Sequence, residues 1–324
     1  MKPVPVDVVT GFLGAGKTTL LRHVLGGALA GERVAVVMNE IGDVSIDGRV
    51  VRGLEHVESM VELDSGCVCC SIDDLRFDAA VQEIVERADP TLIILETTGA
   101  ADPEPLRGRL ERAGLPLDAV ITVVDAENAD RMLRETAVAG AQIRAADFLL
   151  INKTDLVDAS ALARLRRRIG RFNSRAMVME CERSSVPAEV LFATAARRYR
   201  RGAEGREAAP EPPSGAGPPY PVGGHGRGPD RITAFTWHGS HALDQARFER
   251  FLRRLPASIY RAKGFVRFRE GDWPCLFNFT CGRYELNWIQ LGRFAGPAEA
   301  VFIGREVERT REAILQALED CRAR

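Results

Sequence analysis

Apolar residues in the first half of the chain gather into short unbroken runs. Residues 4–10, 33–38, 91–95, 119–124 and 147–151 are such runs, and 57–63 is a weaker one. Between them, residues 19–25 and 74–87 carry apolar side chains at helical spacing. Unbroken apolar strands alternating with helices predict a parallel sheet covered on both faces. The runs end in polar residues: Thr10-Gly11, Asn39-Glu40, Asp64-Ser65, Glu96-Thr97, Asp125 and Asn152-Lys153. In sheets of this kind the edge where the strands end holds the ligand.

The pattern changes near residue 200. Residues 201–230 are mostly Gly, Pro, Ala and charged residues, which predicts a flexible linker. Beyond it, 231–237 alternates like a strand. Residues 243–255 read as an amphipathic helix with Phe248, Phe251 and Leu252 on one face. Residues 265–268, 276–279, 284–288 and 299–303 read as antiparallel strands, and 307–318 as a last helix. The expected architecture is an α/β P-loop domain with a mostly parallel sheet over 1–200. A linker over 201–230 and a small α+β domain over 231–324 complete it.

The first strand runs into Gly11-Phe12-Leu13-Gly14-Ala15-Gly16-Lys17-Thr18, which fits G-x-x-x-x-G-K-[ST] at every fixed position. Glycines let backbone N–H groups approach phosphate oxygens, and a helix start adds unpaired donors and a positive dipole end. The nucleotide set expected here is Gly11, Gly14, Ala15, Gly16, Lys17, Thr18 and Thr19. Lys17 should reach the β- and γ-phosphates, and the Thr18 hydroxyl should ligate Mg²⁺.

Asn152-Lys153-Thr154-Asp155 follows the strand at 147–151. Its spacing is the guanine-reading signature. The Asp155 carboxylate can accept from guanine N1–H and the exocyclic amine together, and adenine offers no such pair. A site built on such bonds rejects the wrong base by roughly 10⁴-fold. Asn152 would brace the loop and the Lys153 stem would lie along the base. Glu96-Thr97-Thr98-Gly99 ends another strand. Glu96 there can hold Mg²⁺ through water or orient the attacking water, and the Gly99 N–H can sense a γ-phosphate.

Composition adds a limit and a clue. The formal net charge of −1 over 324 residues argues against a nucleic-acid partner or an anionic membrane surface. No apolar run is long enough to span a bilayer, and no secretory pattern precedes the first strand, so a cytoplasmic protein is expected. Three of the seven cysteines stand in Cys67-Val68-Cys69-Cys70. In a reducing compartment such a cluster points to metal or thiol chemistry. Thiolates suit Zn²⁺, and also Co²⁺, Ni²⁺ or Cu⁺. Adjacent Cys69 and Cys70 diverge, so Cys67 with one of them is the easiest pair. Glu40 and Asp43 are candidates to complete the shell. The alternative is two buried cysteines and one exposed thiol. Cys275 and Cys281 flank an apolar strand and read as core. The arginine-rich stretch 164–171 reads as a solvated helix face.

Taken together, the P-loop, the Asn39-Glu40 loop, Gly66-Cys67-Val68-Cys69-Cys70, Glu96-Thr97-Thr98-Gly99 with Asp102-Pro103, and Asn152-Lys153-Thr154-Asp155 resemble the CobW-like GTPases. These are the metallochaperone branch of the SIMIBI-class P-loop proteins. Phe302-Ile303-Gly304-Arg305 before the last helix is similar to their C-terminal domain, so the resemblance covers nearly the whole chain. It implies a GTPase that delivers a divalent transition metal to a client apo-metalloprotein. Zinc is the first expectation and cobalt the second, with Cys67, Cys69, Cys70 and Glu40 as metal ligands. A nucleotide-dependent homodimer is a candidate assembly. Many members carry an arginine shortly after the cysteines, where Ser71-Ile72-Asp73-Asp74 stands here, and some carry a histidine-rich linker that this chain lacks. The metal and the client therefore stay open. A zinc sensor or store with weak GTPase activity, and a GTPase assembly factor, are the rival readings.

Overall fold

The computed structural model describes residues 4–29, 32–38, 57–62, 74–186, 191–192, 215–216, 220–221, 232–269, 271, 274–288 and 298–323. Residue contacts divide the chain into two compact units, Met1–Val186 and Pro187–Arg324.

The first unit is a seven-stranded sheet. Its strands are β1 (Val6–Gly11), β2 (Val34–Met38), β3 (Val57–Glu62), β4 (Leu92–Glu96), β5 (Leu117–Asp125), β6 (Phe148–Asn152) and β7 (Met177–Glu180). They lie in the order β3-β2-β4-β1-β5-β6-β7, and every paired neighbour is parallel. All residues of β1, β2, β4, β5 and β6 are buried, which is why these strands read as unbroken apolar runs. Among the described residues its α-helices are α1 (Lys17–His23), α2 (Asp74–Ala88), α3 (Glu104–Arg112), α4 (Ala129–Glu135), α5 (Ala137–Ala145) and α6 (Ala159–Phe172). Phe77, Val81 and Ile84 of α2 and Leu106 and Leu110 of α3 pack with Val6, Val8, Ile93 and Leu95 in one cluster. Leu165 and Ile169 of α6 pack with Leu149 and Ile151 in another.

The topology has a consequence for chemistry. Because the strands are parallel, their C-terminal ends share one edge. Reading across β4-β1-β5-β6, that edge presents Glu96, Gly11, Asp125 and Asn152 side by side.

The second unit is an antiparallel sheet of β8 (Gly215–Ala216), β9 (Tyr220–Pro221), β10 (Ile232–Gly239), β11 (Ile259–Arg267), β12 (Pro274–Thr280), β13 (Arg283–Trp288) and β14 (Ala298–Arg305). The long strands run β13-β12-β11-β14-β10. Inside the stretch whose composition suggests a linker, β8 and β9 both pair antiparallel with β10. Helices α7 (Gln245–Arg253) and α8 (Val307–Glu319) pack on one face of the sheet. The Asp244 carboxylate caps α7 by accepting from Arg247 N at 2.8 Å. Phe248 of α7 meets Phe277 edge-on, with ring centroids 5.1 Å apart, and Phe235 stacks on Phe302 at 5.0 Å. Among the described residues, no helix is long and apolar enough to cross a membrane.

Candidate functional site

The glycine loop joins β1 to α1. Its tightest point is Gly16, which caps α1 with φ 111°, a left-handed conformation that side chains rarely adopt. A Cβ on Gly16 would stand 2.4 Å from Asn152 Nδ2 and 2.7 Å from Ser184 Oγ. The phosphate loop and the base loop therefore touch directly, and only glycine fits between them. Ala15 is fully buried, whereas Leu13 and Gly14 at the loop tip are exposed. Lys17 is 7% exposed, and its Nζ donates to the Gly11 carbonyl at 2.9 Å and the Phe12 carbonyl at 3.4 Å. Thr18 and Thr19, half-buried, complete the first turn of α1.

Two strands across the sheet from β1, β6 delivers Asn152, which is 2% exposed. Its Nδ2 donates to the Ala15 carbonyl at 2.8 Å and to Ser184 Oγ at 3.0 Å. Its Oδ1 accepts from the Ser184 backbone N–H at 2.8 Å. Ser184 Oγ in turn donates to the Gly16 carbonyl at 2.9 Å. Ser184 is fully buried and sits at φ 56° in the turn after β7. One amide and one hydroxyl thus bolt three loops together. Thr154 extends the bolt: its N–H and its hydroxyl both donate to the Cys181 carbonyl. Burial pushes the Cys181 thiol up to about 12, so it stays protonated, and its Sγ is a weak donor to Asn152 Oδ1 at 3.7 Å.

Lys153 follows with φ 62°. Its Nζ is held 2.7 Å from Asp125 Oδ2 at the end of β5. Asp125 also accepts from Glu127 N and Asn128 N through Oδ1, and from Asn128 Nδ2 through Oδ2. Burial works to raise its pKa, but the hydrogen bonds from Lys153 and Asn128 and the Lys153 charge outweigh it. The carboxyl is held below its usual value. With the Lys153 ammonium anchored there, its stem is fixed beside the loop. Asp155, two residues on, is exposed.

Glu96 ends β4 and is 6% exposed. Next to it, Thr97 Oγ1 donates to Thr10 Oγ1 at 2.8 Å, tying this loop to β1. Gly99 packs on the phosphate loop: a Cβ there would lie 2.5 Å from the Leu13 backbone N. Gln142 of α5, 2% exposed, holds the same loop by donating to the Gly99 carbonyl at 3.2 Å and the Ala101 carbonyl at 3.0 Å.

The structure thus brings Gly11, Gly14, Ala15, Gly16, Lys17, Gly99, Asn152 and Lys153 onto one sheet edge, with Thr18, Thr19, Glu96 and Asp155 beside them. Glu40, Asp43, Cys67, Cys69 and Cys70 lie outside the described residues. Among the described residues, no group of three His, Cys, Asp or Glu side chains stands together that could hold a metal ion. Cys275 and Cys321 are buried. Sequence reasoning passed over the roles of Thr10, Asp125, Gln142 and Ser184. Asp125 could have been found, because Asp followed by Glu127 and Asn128 at a strand end is a turn signal. Gln142 and Ser184 carry no local signal, since their partners lie 41–43 and 32–168 residues away.

Comparisons with known proteins agree with this geometry. A family model described as the CobW/HypB/UreG nucleotide-binding domain matches residues 5–180, and one described as the cobalamin synthesis protein cobW C-terminal domain matches residues 232–322. The chain is 40% identical over 190 residues to a zinc-regulated GTPase metalloprotein activator 1 of Schizosaccharomyces pombe, covering 56% of this chain and 46% of that protein. It is 36% identical over 223 residues to a zinc chaperone CobW of Pseudomonas aeruginosa, covering 58% and 59%. It is 35% identical over 204 residues to the zinc chaperone YjiA of Escherichia coli, covering 60% and 62%. The chain therefore spans between about half and three-fifths of the length of these relatives. With the family model covering more than half of its residues, the chain belongs to the CobW/HypB/UreG family of nucleotide-binding proteins.

Proposed function

We propose that the chain is a GTP-hydrolysing metallochaperone. It holds a divalent transition metal, zinc first and cobalt second, and passes it to a client apo-metalloprotein in a nucleotide-dependent way. The observation that carries the reading is the shared edge of the parallel sheet. The phosphate loop leaves that edge at the end of β1, and the base loop at the end of β6. The segments carrying Glu40 and Cys67-Val68-Cys69-Cys70 follow, in sequence, the ends of β2 and β3, which belong to the same edge. Metal ligands on those segments would feel whatever a γ-phosphate does to the loops beside it. The zinc-related names of the three relatives point to the same cargo.

The donor set suits the nucleotide. Lys17 supplies positive charge to the β- and γ-phosphates. The Thr18 hydroxyl and the Glu96 carboxylate are hard oxygen donors of the kind Mg²⁺ takes. When bound, that ion neutralises charge developing on the phosphates. Glu96 either holds the ion through water or orients the attacking water. Asp155 reads guanine, held in place by Asn152 and by the Lys153–Asp125 pair.

The test is a competition titration with a chromophoric chelator, metal by metal, in Mg-GTP and in Mg-GDP, repeated with Cys67→Ser and Cys69→Ser. Tighter metal binding in the GTP form, lost in the cysteine variants, is expected. Coupling is reciprocal, so a tenfold effect corresponds to about 1.4 kcal/mol in each direction. Equal affinities in both nucleotide states would replace delivery by a sensor or store. Unchanged affinity in both cysteine variants would move the metal elsewhere.

A further inference from the structure

Helices α7 and α8 of the C-terminal unit leave a groove between them. Its cavity is about 340 Å³, at the small end of the range of ligand pockets. The floor is apolar: Phe251 and Leu255 from the α7 side, Ile314 from α8. Ala313 and Ala317, one turn apart on α8, line it with methyl groups too short to close it. The rim on the α7 side is Arg247, Arg250 and Arg254, against the single acidic residue Asp320.

The state of these arginines is what distinguishes the groove. Elsewhere on the same helices and their ends, arginines find carboxylates: Arg253 with Glu249 at 3.0 Å, Arg309 with Glu306 at 2.9 Å, and Arg322 with Glu319 at 3.2 Å. At the groove, the Arg247 guanidinium donates to the Asp320 carbonyl, at 3.2 Å, and forms no ion pair with another described residue. Arg250 and Arg254 are exposed and have no side-chain hydrogen bond or ion pair with another described residue. Two uncompensated guanidinium groups thus stand one turn apart, about 6 Å along the helix axis, beside an apolar slot.

We infer that this groove docks an acidic segment of a partner protein, with two carboxylates one helical turn apart and an apolar side chain on the adjoining stripe. Guanidinium groups bind carboxylates through paired hydrogen bonds, which fixes the register of the incoming segment. The apolar side chain fills the slot between Phe251 and Ile314. An amphipathic helix laid into a groove between two helices presents both features at once. The surface belongs to the C-terminal unit alone and stands apart from the nucleotide and metal reading.

The probe is a fluorescein-labelled amphipathic helical peptide with glutamates one turn apart beside a leucine stripe, titrated by anisotropy against the full chain. Saturable binding that weakens with rising salt is expected. The Arg250→Glu/Arg254→Glu variant should weaken it at least tenfold, and Ala317→Leu, which fills the slot, should weaken it as well. Unchanged melting temperatures would show that both variants fold. Equal affinity for parent and charge-reversed protein would overturn the inference. So would equal affinity for a peptide with lysine in place of glutamate, or no saturable binding by the parent. Binding of phosphatidylserine vesicles or a single-stranded oligonucleotide through the same arginines, with the peptide ignored, would also overturn it.

Discussion

Replacing Ser184 with alanine probes the joint between the phosphate and base loops. The substitution removes the 2.9 Å bond from Ser184 Oγ to the Gly16 carbonyl and the 3.0 Å bond from Asn152 Nδ2 to Ser184 Oγ. The backbone bond from Ser184 N to Asn152 Oδ1 survives, because alanine keeps the N–H. The Gly16 carbonyl also survives as an acceptor, since Leu20 N donates to it at 2.9 Å. Asn152 keeps Ala15 as a partner for one amide hydrogen. The net loss is therefore one buried amide hydrogen without a partner, which costs about 1–3 kcal/mol. Backbone strain does not change, because serine and alanine tolerate φ 56° equally poorly. Urea unfolding of the nucleotide-free chain reads the effect. With a slope of about 2 kcal/mol per molar, a loss of about 2 kcal/mol moves the midpoint of the first unit by about 1 M. Guanine nucleotide affinity should fall with it, by at most about 30-fold if the whole loss falls on the binding-competent loop. Ser160→Ala, on the exposed face of α6, should stay within about 0.5 kcal/mol. An unmoved midpoint and an unmoved nucleotide affinity in Ser184→Ala would refute the idea that this hydroxyl joins the loops.

Three further outcomes follow from the site. Asp155→Asn should shift preference from guanine to xanthine nucleotides, read by competition binding; a parent chain that hydrolyses ATP as fast as GTP would show the guanine assignment to be wrong. Lys17→Ala should abolish hydrolysis while melting as the parent does, and an unchanged turnover rate would remove the phosphate loop from the mechanism. The Asp125 carboxyl has a lowered pKa in the folded chain, so its stabilising contribution is present above its unfolded value of 3.8 and is lost as pH falls through the folded one. Stability against urea should not vary with pH through this group between about pH 5 and 8, where its contribution is fully present, and should then fall below about pH 4 in a way that Asp125→Asn lacks; the same acid limb in both proteins would dissociate it from this pair.

What was legible in the chain before folding was whatever is local. The glycine loop, Asn152-Lys153-Thr154-Asp155 and the buried strands announce themselves within a few residues. β7 was missed because Met177–Glu180 is a four-residue edge strand with no fully buried residue, so its apolar signal is slight. β11 begins at Ile259, well before the apolar stretch at 265–268, because Arg261 and Lys263 are buried polar positions inside it. The expected helix over 243–255 appears as Gln245–Arg253, with Phe248, Phe251 and Leu252 buried as its spacing implies. Ser184 and Gln142 were invisible for a different reason. A serine in a turn and a glutamine in a helix are ordinary, and only the packing of distant strands turns them into clamps on Gly16 and Gly99.

Lys17 folds back onto the loop that carries it. Its ammonium already rests on the Gly11 and Phe12 carbonyls of its own loop. Ordering a lysine side chain costs up to about 2 kcal/mol of rotamer entropy, and these two bonds offset part of that cost. A phosphate oxygen taking the same ammonium would add attraction between opposite charges to a bond whose donor is ionised in either case. Phosphate affinity at this position would thus depend on how much more strongly the ammonium is drawn to phosphate oxygens than to the carbonyls of its own loop.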